Sequence, residues 1–388
     1  MPTGINTYII KLASICNLNC SYCYYFNGAD NSYRGRPKLI SQEIIRLMVD
    51  KIIAHTSKHG ITNIDLSLHG GEPLLIDKES FVEMMYEFNR IDQAGVTTRR
   101  KIQTNAVLLD DIWIKLLTEW NIRLGVSMDG PKEVHDEFRV DHAGRGSYDR
   151  TIRNLKMALA NEAEGLRTSV LSVINPAHSG TEMYHHLRAL GVKKMDFLLP
   201  ENNYAHPPMN FVPLGEATPF GDFLLDVLDA WLTEDNPEVK VRILDEVISS
   251  FMINDVMSDA IGTAPVRVAV IETDGSLEPT DNFKACSNNM TNLGLSIFEH
   301  DFDDLYYHKF FEHCIDAAQY TPTPCQTCEY LDICGGGRIT TRYSEDHGEE
   351  GAFRNRTIYC HDLLKVFGHV GRLVNEVLET PEEVPVVA

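Results

Sequence analysis

Along the first 235 residues, short β-branched or apolar runs alternate with stretches in which apolar residues recur every three to four positions. The runs fall at residues 6–13, 63–68, 100–104, 122–127, 168–174 and 194–199, and each reads as a strand. The stretches between them read as helices, several with a cap in front: Ser41 ahead of Ile44, Ile45 and Leu47, Asp77 ahead of Phe81 and Met84, and Ser147 ahead of Ile152, Leu155 and Leu159. Residues 220–232 supply the sixth helix. Strands alternating with helices imply a parallel sheet, and right-handed crossovers place every strand's C-terminal end on one rim. The pattern predicts an α/β fold, a partial (β/α)6 TIM barrel over residues 5–235, with a doubly wound open sheet as the alternative.

After Asn236 and Pro237 the rhythm changes. Residues 236–285 read as a bridge, made of an apolar helix over 239–252 and a hairpin-like stretch over 267–271 turned by Asp274 and Gly275. Residues 286–388 form a third part in which Gly, Cys, His and turn residues dominate. Burial alone cannot hold such a segment, so a metal staple is expected. Its Pro- and Glu-rich end, 380–388, is expected to fray.

The chain has 388 residues, 43% hydrophobic and 23% charged, which excludes disorder and coiled coil. Against 56 Asp plus Glu stand 35 Lys plus Arg, a net charge of -21. A field of that sign repels phosphate backbones and anionic lipid, so neither nucleic acid nor membrane is an expected partner, while a basic peptide would be attracted. No signal peptide opens the sequence and no run of about 18 apolar residues interrupts it, which points to the cytoplasm.

In that reducing compartment nine cysteines suggest metal ligands rather than disulfides. They form two sets separated by 262 residues. Cys16, Cys20 and Cys23 follow the first strand directly, on the rim where barrel enzymes place their chemistry. Three thiolates can hold a cubane iron-sulfur cluster with one open iron, or zinc with a distant fourth ligand such as His55. Cys325, Cys328, Cys334 and Cys360 supply four thiolates, enough for a closed 4Fe-4S cluster or for zinc. Cys314 reads as a small buried hydrophobe, or else a hydrogen-atom donor, and Cys286 is open between burial and ligation.

The CxxxCxxC loop, with Tyr22 before its last cysteine, resembles the signature of the radical S-adenosylmethionine superfamily. Gly70-Gly71-Glu72-Pro73, Gln103-Thr104-Asn105, Ser127 within Gly-Val-Ser-Met-Asp-Gly-Pro, and Arg139 resemble that family's further elements, each at or after a predicted strand end. The resemblance implies a 4Fe-4S cluster on Cys16, Cys20 and Cys23 with S-adenosylmethionine on its open iron. Gly70, Gly71, Glu72 and Pro73 would then receive the methionyl ammonium, Gln103, Asn105, Ser127 and Arg139 the rest of the cofactor's polar groups, and Tyr22 with Leu198 and Leu199 the adenine. The second thiol set, with Gly335-Gly336-Gly337 behind Cys334, resembles the SPASM or twitch domains of radical peptide maturases, which implies one auxiliary 4Fe-4S cluster. Arg338 stands where the full seven-cysteine pattern has a further Cys.

Within the superfamily the chain looks most like maturases of ribosomal peptides, including cyclophane formers. The expected reaction is therefore a radical-induced crosslink in a precursor peptide, with flavodoxin or ferredoxin as electron donor. Anaerobic sulfatase maturases, which make formylglycine, share several motifs but usually carry two auxiliary clusters, so the thiol count argues against them. A peptide epimerase using Cys314 and a metal-stabilised peptide-binding scaffold are further alternatives. No peptide-recognition module is expected before the barrel. No residue stands out as the catalytic base: Asp274, Glu278 and Asp281 are candidates, with surface turn positions the commoner explanation.

Overall fold

The computed structural model describes residues 4–208, 211, 213–253, 260–262, 264–347 and 351–379. Six strands follow the expected rhythm: β1 (Thr7–Ala13), β2 (Asn63–Gly70), β3 (Thr97–Thr104), β4 (Arg123–Ser127), β5 (Thr168–Val173) and β6 (Lys194–Leu198). They pair in parallel, each with its neighbour in sequence. Beyond β6 lies β7 (Lys240–Val241), and on the other side of β1 lie β8 (Val268–Ile271), parallel to it, and β9 (Leu277–Glu278), antiparallel to β8. The sheet thus ends on β7 and β9 without closing, as expected of a partial barrel. Two segments expected to bridge instead extend the sheet. β3 begins earlier than predicted because its first turn of chain, Thr97–Arg99, is polar and half exposed.

Helices α1 (Gln42–His59), α2 (Lys78–Gln93), α3 (Asp111–Glu119), α4 (Lys132–Phe138), α5 (Tyr148–Ala160), α6 (Gly180–Ala189) and α7 (Pro219–Glu234) connect the strands. Ser41 and Asp77 cap as expected, accepting from the amides of Ile44 and Ser80. Ser147 does not cap α5: its hydroxyl donates to the Arg139 carbonyl at 2.8 Å and meets the His135 ring at 2.9 Å. The N-terminus of α7 is capped from far away, since the amides of Phe220 and Gly221 both donate to Asp362 Oδ1 at 2.9 Å.

The predicted helix over 239–252 starts later, as α8 (Arg242–Ile253), because its first residues are taken by β7. The C-terminal part is built from short pieces, α9 (Phe302–Tyr306), α10 (Glu312–Ile315) and α11 (Leu331–Cys334), and closes with α12 (Cys360–Glu379), which packs on α7 and α8. One continuous apolar core runs from Ile5 to Val370, so this part is not held by its cysteines alone. The segment 380–388 lies outside the described residues. Among the described residues no helix is long and apolar enough to cross a membrane.

At the opposite end of the barrel from the strand C-termini, the Ile5 amide donates to His55 Nε2 at 3.0 Å, while His55 Nδ1 and His59 Nε2 lie 3.0 and 2.7 Å from Asp303 Oδ1. This latch joins α1 to α9. It also removes His55 from the zinc alternative, because His55 sits at the start of β1 and the three-cysteine loop at its end.

Candidate active site

The strand C-termini open on a cavity of about 390 Å³. Cys16, Cys20 and Cys23 line it together with Tyr22, Gly70, Gly71, Glu72, Gln103, Asn105, Ser127, Arg139 and Leu198. Every motif named from the sequence therefore reaches one space, with one exception. Pro73 is turned away, buried as the first residue of a 3-10 turn, so it shapes the turn without touching the cavity.

The first cysteine loop is set by close backbone approach. The Gly71 and Glu72 amides donate to the Ala13 and Ile15 carbonyls at 2.7 and 3.0 Å. A Cβ on Gly71 would lie 2.2 Å from the Ile15 oxygen, and Gly70 has φ 154, which is why both positions are glycine. On the other side the Asn19 amide donates to the Val140 carbonyl, and Asn105 Nδ2 donates to Asn17 Oδ1 at 2.7 Å.

Glu72 is buried and largely spent on protein donors: Thr104 hydroxyl and the Leu74 amide on Oε1, the Asn105 amide on Oε2 at 2.9 Å. Burial pushes its pKa up to about 7 against the pull of those donors. With three of about four acceptor sites taken, the carboxylate staples two strand ends, leaving backbone as the main receiver for an ammonium. Gln103 Nε2 donates to Ser127 Oγ at 2.8 Å.

Arg139 is not a solvated helix charge. It is 8% exposed, its Nε donates to Asp129 Oδ2 at 2.7 Å, and the Tyr22 hydroxyl donates to the same oxygen at 2.5 Å. Asp129, which sequence reasoning missed, holds the arginine's pKa above its usual value and fixes the Tyr22 ring under the guanidinium, 5.4 Å from it.

The three thiols are half-buried, and desolvation outweighs the pull of Arg139 on Cys20 and of Lys11 and Arg139 on Cys23. Burial raises the pKa of Cys16 to about 12 and of Cys20 to about 11, and raises that of Cys23. A bound cation would reverse this by stabilising the thiolates. A single tetrahedral zinc brings its sulfurs to about 3.8 Å of one another, given Zn–S of about 2.3 Å. Among the described residues the only trio of metal-type side chains with ligand atoms within 4.8 Å is the His55, His59, Asp303 latch, so neither cysteine set is drawn in to that spacing. That does not favour a single zinc, and a polynuclear cluster does not require such close sulfurs.

Cys325, Cys328, Cys334 and Cys360 all line a second, small cavity of about 20 Å³, with Arg356, Leu331, Leu364 and Phe367. Thr357 and Leu363 line both cavities. Beside the second lies Arg342, fully buried, whose guanidinium donates to the carbonyls of Gly335 and Gly337. Burial lowers its pKa to about 10, and Cys334 and Cys325 are the charges that support it. An anionic thiolate-held group is what such a cation requires. Cys286 is buried with Sγ 3.7 Å from the Thr340 carbonyl, and Cys314 lines a separate small cavity, so neither joins either set.

Of the three acidic candidates only Asp274 is a partly exposed turn residue. Glu278 is buried between Arg36 and Lys284. Asp281 is buried at the edge of the large cavity, where Lys11 and the Tyr24 hydroxyl, both cavity-lining, donate to its Oδ2. Lys11 holds the carboxyl well below the usual range against burial. The sequence expectation of surface positions therefore fails for Glu278 and Asp281, whose partners lie 242 and 270 residues away.

Residues 10–190 match the sequence profile of the radical SAM superfamily. The barrel is a radical SAM domain. The protein is accordingly a radical SAM enzyme, an oxidoreductase whose cofactors are S-adenosylmethionine and 4Fe-4S clusters. It is 24% identical over 382 residues to the cysteine-type anaerobic sulfatase-maturating enzyme of Clostridium perfringens (strain 13 / Type A), covering 95% of this chain and 97% of that one. It is 25% identical to the serine-type enzyme of Bacteroides thetaiotaomicron, over 92% and 87% of the two chains. The solved structure of anSMEcpe with bound AdoMet and the Cp18Cys peptide superposes with a TM-score of 0.79 at 22% identity, over 96% of this chain and 99% of that one. SuiB of Streptococcus suis, bound to its precursor peptide SuiA, superposes at 0.61 with 15% identity, over 92% and 76%.

These findings correct the expected crosslinking reaction. The thiol count that set sulfatase maturases aside is outweighed by likeness to them along nearly the whole chain, while the likeness to SuiB with its precursor peptide is weaker.

Proposed function

We propose that this enzyme oxidises a seryl or cysteinyl side chain of a polypeptide to formylglycine. The observation that carries the reading is the end-to-end likeness to both serine-type and cysteine-type anaerobic sulfatase-maturating enzymes. In this reading Cys16, Cys20 and Cys23 hold the cluster that binds S-adenosylmethionine, and Cys325, Cys328, Cys334 and Cys360 hold one auxiliary cluster. When bound, these groups supply a 5'-deoxyadenosyl radical able to remove a hydrogen from the substrate β-carbon, and a site able to take the second electron.

The chain's own residues do the rest. Arg139 and Ser127, fixed by Asp129 and Gln103, orient the cofactor's carboxylate and ribose. Leu171, Val173, Leu198 and Leu199 line the cavity and keep water from the adenine side. Asp281, kept ionised beside Lys11, accepts the proton that leaves the substrate hydroxyl or thiol; a seryl side chain then gives the aldehyde directly, and a cysteinyl one gives a thioaldehyde that water hydrolyses to the aldehyde with loss of hydrogen sulfide. Residues 5–235 form the cofactor-binding barrel, strands within 236–285 extend its sheet, and 286–388 form the auxiliary part, with a flavodoxin or ferredoxin as donor.

The test is anaerobic turnover of the cluster-reconstituted protein with a sulfatase-derived peptide carrying Ser or Cys at the modified position. A hydrazide-reactive aldehyde, with one 5'-deoxyadenosine per product, is the expected result. A product two hydrogens lighter that does not react with hydrazide would overturn the reading.

A further inference from the structure

Lys11 lies in the middle of β1 and is 1% exposed, and an ammonium withdrawn from water to that degree must be fully paired. It has three N–H donors, and three acceptors surround it. Asp281 Oδ2 takes one, His69 Nδ1 lies 3.3 Å away, and the face of Tyr25 lies 4.7 Å from Nζ at its centroid. Each acceptor is fixed in turn. The β1–β2 register puts Lys11 directly opposite His69, on the same face of the sheet. The Tyr25 hydroxyl is tied to Glu272 Oε2 at 2.8 Å, and the Tyr24 hydroxyl reaches Asp281 Oδ2 at 3.0 Å. Burial and the neighbouring ammonium lower the His69 pKa to about 4, so its ring is neutral and can accept.

Both protein donors to Asp281 therefore fall on one oxygen, Oδ2. We infer that Lys11 is a positioning residue, which pins Asp281 through Oδ2 and keeps Oδ1 as the oxygen that meets the substrate proton. This rests on the reading of Asp281 as proton acceptor. The ionisable side chains around Asp281 are Lys11 from β1, His69 from β2 and Tyr24 from the cysteine loop, with the Glu201–Arg338 pair beyond Asn282. Lys11 is the cation in direct contact, so its removal leaves a buried carboxylate that holds a proton to higher pH.

The experiment measures aldehyde and 5'-deoxyadenosine separately, across pH, in the reconstituted holoenzyme. Lys11→Met should continue to release 5'-deoxyadenosine while aldehyde per deoxyadenosine falls about tenfold at neutral pH, with the acid limb moved up by about one pH unit or more. His69→Leu, which removes one anchor of the ammonium, should move the limb in the same direction. His69→Gln, whose amide oxygen still accepts from Lys11, should restore it. An unchanged limb and ratio in a folded Lys11→Met variant would overturn the inference. Should that variant not fold, identical profiles for His69→Leu and His69→Gln would overturn it instead. Asp281→Asn separates the two readings: undiminished aldehyde there removes Asp281 as acceptor, whereas loss there with an unshifted Lys11→Met removes only the role of Lys11.

Discussion

The two thiol sets differ in almost every physical respect except their chemistry. The first stands on the ends of parallel strands, beside a cavity of about 390 Å³, and its loop and the residues leading into it are braced by backbone bonds to residues 71, 72 and 140. The second wraps a space of about 20 Å³ in a region of short turns, where Gly335, Gly336 and Gly337 all have positive φ and a buried arginine faces the sulfurs. Three ligands beside a large cavity leave room for a second molecule. Four ligands around a small one leave none. In the proposed function the same residue type serves reaction in one region and electron handling in the other, and what differs between them is the space the backbone leaves.

The largest expected effect separates the two directly. Replacing Cys16, Cys20 and Cys23 by Ala should abolish S-adenosylmethionine cleavage, read as 5'-deoxyadenosine by chromatography. Replacing Cys360 should abolish aldehyde while uncoupled cleavage persists. Equal loss of both activities in a folded Cys360 variant would erase the distinction between the regions.

Next in size, Arg342→Met should lower bound iron from about eight to about four per chain, because the second anionic group loses its buried counter-charge. Iron analysis of the anaerobic protein checks this.

Acid should strike the barrel first. His69 and His135 have folded pKa values lowered by burial to about 4, so their contribution is complete above the unfolded value near 6.5 and is lost as pH falls from there towards 4. Each withdraws roughly 3 kcal/mol over that window. Thermal melts between neutral and acid pH should steepen accordingly, and His135→Gln should flatten the curve.

Gly71→Ala should cost about 1–3 kcal/mol by pressing a methyl on the Ile15 carbonyl. The same substitution at Gly368, where a Cβ would meet nothing nearer than 3.6 Å, should be close to neutral.

The barrel and its cofactor motifs were legible because local spacing encodes them: a strand, then a short run of Cys, Gly-Gly-Glu or Gln-Thr-Asn at its end. Pairings across the fold were not. Nothing near Asp281 in the sequence announces Lys11, 270 residues away, and nothing near Arg139 singles out Asp129 from other turn aspartates. Ser147 had the right position for a cap, yet its hydroxyl was claimed by the Arg139 carbonyl and the His135 ring. The reaction was misread for a related reason. Cysteine count limits how many clusters a chain can hold, but it does not describe the substrate, and the residues that line the cavity are scattered along the sequence from Lys11 to Leu363.

In the proposed function one thiol set is open to S-adenosylmethionine and the other closed. Electron paramagnetic resonance of the reduced, anaerobically reconstituted protein, with and without S-adenosylmethionine and alongside iron analysis, tests it most directly. About eight irons per chain and two cluster signals are expected, of which only that lost in the Cys16, Cys20, Cys23 variant shifts on cofactor addition. Zinc at the second set, about twelve irons, or a shift of both signals would contradict it.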